Sequence, residues 1–501
     1  MNKTYNDRTT EKISFFHHPV SVEDMMKARD RRAALQSRLI QNFGLPVVSF
    51  TLNIPGPVKI LPGVPDFFDR GADAVRQALE KASVSVVFEE EIREHTGYEL
   101  FLCADASPER LKEITVPLEE ESKAGRLYDI DIIRTDGSKV SREELNFPSR
   151  CCLLCGEPAH ACSRSRRHTV DELVAYICHL IDEDSFLEYL FQAARDSLLD
   201  EVSATPKPGL VDKNDNGAHQ DMCYETFLSS TDAVAPYMKQ MAEQGLSCHN
   251  ETPQVLFSRI RKTGIEAEKA MFSVTGGVNT HKGMIFSMGI LSACAGYLYG
   301  RGEAIRTERL FSMAKELCGQ EIQQDFSQLE TFKQKTVGKL EHSAKPLSHG
   351  EKLYLTYGLR GIRGEAADGF PSLTDISLPV FLTSLTELER NDPEENSDER
   401  WNRACLQTLL SLMAQVEDTN IFHRGGPDAA AYVKEQAIQA LADGGALDAQ
   451  WRDRLSSMNQ DFIKKNISPG GCADLLALTV FLFRLVRMVN QKPAGTDAGP
   501  N

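Results

Sequence analysis

A chain of 501 residues is too long for one ordinary hydrophobic core, so two or three domains are expected. Hydrophobic residues at 41% and charged residues at 26% give a globular composition and exclude a disordered or fibrous chain. A formal net charge of −16 excludes bulk attraction to nucleic acid, although a local basic patch can still hold phosphate.

The first residues, MNKTYNDRTTEK, lack the apolar core of a signal peptide. The most apolar run, Ala477 to Phe483, is stopped by Arg484 and Arg487, well short of the roughly 20 residues that span a bilayer. A cytoplasmic chain with no membrane partner is expected, its 12 cysteines mostly reduced. Helices are predicted over Glu23 to Phe43 and Asp69 to Lys81. Strands are predicted over Pro46 to Asn53, Val84 to Glu90, Tyr98 to Ala104 and Arg126 to Arg134, with a turn at Asp136-Gly137. Thr169 to Glu172 has capping-box spacing and opens a helix to about Leu180. Asp182-Glu-Asp-Ser185 breaks that pattern, which divides the chain into residues 1–182 and 183–501. The first part reads as α/β. The second is mainly α-helical, with patterns at Leu187 to Leu198, Leu256 to Phe272, Leu406 to Val416, Ala429 to Leu441 and Leu475 to Val489. The tail after Gln491 is expected to be disordered.

In the predicted strand RLYDIDII, Asp129 and Asp131 share one face about 6.6 Å apart, with Leu127 and Ile133 beside them. Paired carboxylates of this kind suit a magnesium ion shared with a polyphosphate, the arrangement of a nucleotidyltransferase-like site. Solvated acids on an edge strand are the bland alternative. Cys152 and Cys155 have zinc-knuckle spacing, and His160, Cys162 or His168 could complete a set. No second pair at ribbon spacing follows, so zinc is not expected. Arg164, Arg166 and Arg167, just before a helix start, suit a polyphosphate, or else form a solvated charge run.

Glycine-rich segments punctuate the second part: TPKPGLVD, NGAHQDM, TGGVNTHKG, YGLRGIRGEA, DTN, RGG and SPGGCADLLA. Glycine lets backbone approach a ligand and aim N–H groups at phosphate. Lys207, Lys282, Arg360, Arg363 and Arg424 supply cations, and Asn279 an amide. Asp212, Asp221, Asp418 and Asp474 supply hard oxygens for magnesium. Asp474 at a helix start could instead serve the helix dipole. His219 is the candidate activator of an attacking hydroxyl, with Asp221 two residues on as base or ligand. Asp221, Asp418 and Asp474 are expected to line one cleft with Lys282.

These segments, in this order and spacing, resemble the triphosphoribosyl-dephospho-CoA synthase family over about residues 185–490. GRLYDIDII, RCCLLCGEPAHACSRSRRH and DRRAALQSRL resemble the apo-citrate lyase phosphoribosyl-dephospho-CoA transferase family over about residues 15–182. The resemblance implies two consecutive reactions. ATP and 3′-dephospho-CoA would join with loss of adenine. The phosphoribosyl-dephospho-CoA group would then pass to a serine of the acyl carrier (gamma) subunit of citrate lyase, with loss of pyrophosphate. Magnesium is the expected cofactor, and nucleic acid is not an expected partner. Rival readings are the equivalent activities for malonate decarboxylase, an adenine-releasing hydrolase, and a non-enzymatic zinc-containing assembly factor.

Overall fold

A computed structural model describes residues 18–335 and 347–490. The leader reading at residues 1–12 and the tail after Gln491 lie outside the described residues. The chain divides into two compact units, residues 1–186 and 187–501.

In the first unit, Ser21 caps helix α1 (Val22–Phe43) reciprocally with Asp24, and Gly44 ends it with φ 63°. Strand β1 (Val47–Leu52) follows, then helix α2 (Val64–Lys81), strands β2 (Ser85–Glu94) and β3 (Gly97–Asp105), helix α3 (Pro108–Glu120) and strand β4 (Tyr128–Ile133). The four strands form one antiparallel sheet in the order β2-β3-β1-β4. β1 is central and buried on both faces, which its near-continuous apolar run foreshadows. One face packs Phe50, Leu100, Leu102 and Ile130 against Phe67, Phe68 and Val75 of α2 and Leu111 of α3. The other packs Val47, Phe101, Cys103 and Ile133 under Leu35 and Leu39 of α1. The predicted strands and helices are therefore present, in a wholly antiparallel sheet clad on both faces. Leu127 departs from expectation: it closes a short 3-10 turn before β4 and joins the α2–α3 core.

The short helix α4 (Ala159–Ser165) precedes helix α5 (Val170–Ser203). The capping box forms, with the Glu172 carboxylate accepting from the Thr169 amide at 2.8 Å. The expected break at Asp182 to Ser185 does not occur, and α5 runs through it. Arg70 holds Asp184 at 2.5 Å, and the Ser185 hydroxyl donates to the Ile181 carbonyl oxygen, so both polar groups are satisfied without leaving the helix. The division into units falls within α5.

The second unit is helical: α6 (Tyr224–Ser247), α7 (Pro253–Val274), α8 (Lys282–Gly300), α9 (Thr307–Lys335), α10 (His349–Tyr357), α11 (Gly361–Asp368), α12 (Leu378–Asn391), α13 (Ser397–Gln415), α14 (Thr419–Ala442), α15 (Trp451–Lys464) and α16 (Gly470–Asn490). α8 is buried almost all round from Met284 to Leu298. It has the length and apolarity of a membrane span, but 78% of that stretch is buried within the protein. It is the central strut against which α6 packs. The approach needs glycine: a Cβ on Gly296 would lie 1.9 Å from the Ala242 carbonyl oxygen, and one on Gly245 would lie 2.2 Å from that of Ala293. Both obstacles are backbone and cannot rotate away.

Gly296→Ala is expected to destabilise the protein by about 1–3 kcal/mol through overpacking. Gly264→Ala on α7, where a Cβ would meet only Met241 at 3.8 Å, is expected to be neutral or slightly stabilising. Thermal unfolding of both variants checks this pair of outcomes.

Candidate functional site

A cavity of 620 Å³ in the second unit is lined by the loops that carry the glycine-rich segments. Its floor is a buried ion pair. The Lys207 ammonium donates to the Glu201 carboxylate and, at 2.7 Å, to the Glu201 carbonyl oxygen. The loop after α5 is wound around Asp212. One oxygen of that carboxylate accepts from Thr205 Oγ1 at 2.8 Å and from the Lys207 amide at 2.9 Å. The other accepts from the amides of Asn214 and Asp215. Lys207 was expected to be a phosphate cation and Asp212 a metal oxygen. The structure commits Lys207 to Glu201 at 1% exposure, and Asp212 to its own loop.

Asp418 and Asp474 both line the cavity. Asp418 is a brace. Its Oδ1 accepts from the amides of Asn420 at 2.7 Å and Ile421 at 3.4 Å, capping α14, while Oδ2 accepts from the Cys472 amide at 2.8 Å in α16. A Cβ on Gly471 would press within 3.0 Å of that carboxylate, so glycine lets the two helix starts meet. Both oxygens are engaged by backbone, which argues against the metal role expected for Asp418. Asp474 differs. No hydrogen bond from the described residues reaches its carboxylate. Burial, with Glu201 and Asp418 nearby, raises its pKa well above 3.8. A Cβ on Gly283 would lie 2.3 Å from Asp474 Oδ2, so the glycine after Lys282 admits this acid.

His219 is wedged between two partners. Its Nε2 lies 2.8 Å from Ser468 Oγ, and Arg424 Nη2 donates to Nδ1 at 3.1 Å. Arg424 also donates to the Ala218 carbonyl oxygen and to Asn466 Oδ1. Burial first, then the Arg424 charge, lowers the His219 pKa from 6.5 to about 4. With Nδ1 accepting from Arg424, Nε2 carries the hydrogen toward Ser468, and no lone pair is left to deprotonate a hydroxyl. This arrangement ties His219 to Arg424 and Ser468 and argues against the activator role expected of it. Arg424 makes no ion pair among the described residues. Asp221 lies 3.7 Å from His219 Nδ1 but is 63% exposed, on a 480 Å³ recess that shares His219 and Arg424 with the main cavity. It does not line the main cavity with Asp418 and Asp474. Solvation explains this: an exposed acid needs no compensating partner.

The other expected cations line the cavity rim already partnered. Lys282 pairs with Glu268 at 2.9 Å, and Arg360 with Asp368 at 2.6 Å. Asn279 caps α8 by accepting from the Lys282 amide at 3.2 Å. Arg363 lies over the Phe326 ring and pairs with Asp325, lining only an adjoining cleft of 1250 Å³. That cleft is walled by Phe257, Ile260, Phe272 and Phe286, and shares Lys282, Gly283 and Arg360 with the cavity.

Two groups of the cavity were not singled out from sequence. Glu201 lies at the end of a helical pattern with no motif to flag it. His281 sits between Asn279 and Lys282 and was legible only as a member of that segment. It is fully buried: Nδ1 lies 2.7 Å from Ser230 Oγ, while Nε2 has no partner among the described residues. Burial and the Lys207 charge lower its pKa from 6.5 to about 3.

In the first unit, Asp129 and Asp131 share the α1-side face of β4, opposite Thr51 and Ser49 of β1. Both are half-buried. Lys139 holds Asp131 at 2.5 Å, and Arg150 lies 3.3 Å from Asp129. Arg150 also donates to Glu119 and to the Tyr128 carbonyl oxygen, tying the start of the cysteine-rich segment to the strand. Arg164, Arg166 and Arg167 are exposed, and their guanidinium groups meet no partner among the described residues. The absence of zinc was expected because only two ligands had clean spacing. The fold corrects that premise, since Cys162 and His168 return to Cys152 and Cys155.

The profile of the family described as ATP:dephospho-CoA triphosphoribosyl transferase matches residues 187–493. That of apo-citrate lyase phosphoribosyl-dephospho-CoA transferase matches residues 20–184. Protein CitXG of Haemophilus influenzae is 34% identical over 466 residues, covering 92% of this chain and 96% of its own. Protein CitXG of Leuconostoc mesenteroides is 31% identical over 481 residues, covering 93% and 97%. A protein of Streptococcus mutans named probable 2-(5''-triphosphoribosyl)-3'-dephosphocoenzyme-A synthase is 42% identical over 303 residues, 58% of this chain and 95% of its own. Spanning both profiles and matched along nearly its whole length by such two-part relatives, the chain belongs to the transferase family that joins triphosphoribosyl-dephospho-CoA synthesis to phosphoribosyl-dephospho-CoA transfer onto apo-citrate lyase.

Proposed function

We propose that the 620 Å³ cavity is where ATP and 3′-dephospho-CoA react, and that Asp474 is the proton donor to the departing adenine. The observation that carries this is a half-buried carboxyl with no hydrogen-bond partner among the described residues and a raised pKa, lining a cavity with Arg424, a guanidinium whose partners are all neutral. The 2′-hydroxyl oxygen of dephospho-CoA bonds to C1 of the ATP ribose. The C1–N9 bond breaks, and its electron pair leaves with adenine. Adenine accepts a proton from Asp474, and the hydroxyl gives up one, which restores the acid over the cycle. The ribosyl centre carries positive charge as adenine leaves, a demand met elsewhere by carboxylates flanking a sugar. Glu201 and Asp418 place negative charge beside it. Arg424, held by neutral His219, is the cation placed for the triphosphate. The adjoining apolar cleft has the chemistry to take the pantetheine arm, which favours an acceptor larger than water.

Magnesium fits Asp129 and Asp131, which are half-exposed on β4; Asp474, in its role as proton donor, offers it no charged oxygen. Bound at the β4 pair, it would neutralise phosphate charge. In the first unit, Asp129 and Asp131 with Arg150 and Lys139 form a charged patch on the sheet, the seat proposed for a nucleotidyltransferase-like step. There the carrier serine oxygen bonds to the α-phosphorus and pyrophosphate departs. Arg164, Arg166 and Arg167 are proposed to receive the pyrophosphate. The matched citrate-lyase profile supports the acyl carrier subunit of that enzyme as acceptor over a malonate decarboxylase carrier. A cytoplasmic setting suits these substrates.

Asp474→Asn keeps the shape and neutrality of a protonated carboxyl but cannot donate. Adenine release is expected to fall at least about 100-fold, the usual weight of general acid catalysis. Stability should move the other way. A folded pKa above 3.8 costs stability once the unfolded carboxyl ionises. The variant should therefore melt higher at neutral pH, with the difference vanishing as pH falls below about 4. Chromatographic adenine assay and thermal melts across pH read both effects. In the first unit, Asp129→Asn is expected to abolish carrier modification, followed by intact-protein mass spectrometry, while adenine release stays within twofold. Parallel loss of both activities with an unchanged circular dichroism spectrum would contradict the separation of sites.

A further inference from the structure

Cys152, Cys155, Cys162 and His168 converge in the first unit with all four ligand atoms within 4.8 Å of one another. The first two flank a turn that ends at Gly156 with φ 72°, where the Gly156 amide donates to the Cys152 carbonyl oxygen at 3.2 Å. The third is on α4, and the fourth lies in the turn between α4 and α5. Tetrahedral zinc, with Zn–S near 2.3 Å and Zn–N near 2.0 Å, sets its ligand atoms about 3.8 Å apart or less. The Cys155 and Cys162 sulfurs are already 3.9 Å apart. A second observation is independent of the sulfurs. His168 Nε2 is closed off from solvent and has no hydrogen-bond partner among the described residues. A buried imidazole nitrogen left without a partner is costly, and a metal ion would resolve that cost.

We propose that these four residues bind one structural zinc ion, which no part of the two-reaction scheme requires. Four protein ligands fill a tetrahedron and leave no position for water or substrate, so the ion shapes the chain and takes no part in bond making. What it shapes is specific. The ligands bracket the segment 152–168, which contains Arg164, Arg166 and Arg167. That segment begins beside Arg150, whose guanidinium lies 3.3 Å from Asp129. The metal would therefore close the arginine-bearing hook on itself, next to Arg150, which ties it to the strand that carries the paired acids. Helix α4, of seven residues, is too short to be stable alone, and a ligand in its middle would hold it. Binding would release the thiol protons to solvent, three cysteines entering as thiolates.

The test is the metal content of the full-length protein, purified under reducing conditions without chelator. About one zinc per chain is expected, lost in Cys155→Ser and retained in Cys151→Ser, whose exposed neighbouring thiol is outside the set. Because misfolding of Cys155→Ser would also abolish binding, cobalt exchanged into the wild-type protein gives a second readout. Intense visible absorption from a tetrahedral thiolate site is expected, bleached by added zinc. A protein free of zinc that shows no such absorption with cobalt, or one in which Cys155 and Cys162 are joined as a disulfide after reducing purification, would overturn the proposal.

Discussion

The buried pair of Lys207 and Glu201 is the constraint on which the second unit's site depends. Neither charge is tolerable alone at that depth, and each is supportable only because the other is within hydrogen-bond reach. The pair fixes the end of α5 against the loop wound around Asp212. It also sets the local electrostatics. Lys207 pushes proton binding at His281 down, and Glu201 pushes it up at Asp474. Burial is the larger cause at both groups, and the ion pair adds to it, favouring the neutral imidazole on one side and the neutral carboxyl on the other. Removing either partner would strand a buried charge and alter the protonation of both neighbours.

The cavity is assembled from loops distant in sequence, and each approach relies on a small residue or a backbone acceptor. Gly283 admits Asp474, and Gly471 lets α16 begin against Asp418. Gly283 and Gly471 are there for close approach of protein to protein, whereas Gly276, Gly277, Gly358 and Gly426 face open space and are asked for by their positive φ. Charge tells a similar story. Of the cations predicted for phosphate, Lys207, Lys282, Arg360 and Arg363 each have an acidic partner, and Arg424 has only neutral ones. Such pairs on the rim contribute little to stability and can reopen to a ligand, whereas the buried one cannot.

Much of the fold was legible because local signals agreed with tertiary structure. The strands around Phe50, Leu100 and Ile130 announced themselves by β-branched and aromatic runs, and Thr169 with Glu172 marked a helix start. The misread features lacked a local signal. Asp184 and Ser185 look like a breaker until Arg70 and the Ile181 carbonyl satisfy them. Asp418 looks like a metal ligand until three amides turn toward it. Cys162 and His168 have no regular spacing from Cys152, and only the turn of α4 carries them back. His219 was chosen for a pKa near neutrality, but burial, and after it the charge of Arg424, moves it to about 4. Side-chain proximity across 200 residues is invisible in periodicity, and protonation follows from proximity.

Fusing the two activities places the maker of an activated ribosyl-triphosphate on the same chain as its consumer, which raises the local supply without any new contact. The second unit joins two nucleotides, where a hydrolase would cleave one. The direct measurement is adenine release from ATP by the full-length protein, with and without 3′-dephospho-CoA, alongside the mass of the other product. Release only in the presence of dephospho-CoA, with a product that keeps all three phosphates, is the predicted result. Adenine released at full rate without dephospho-CoA would contradict it.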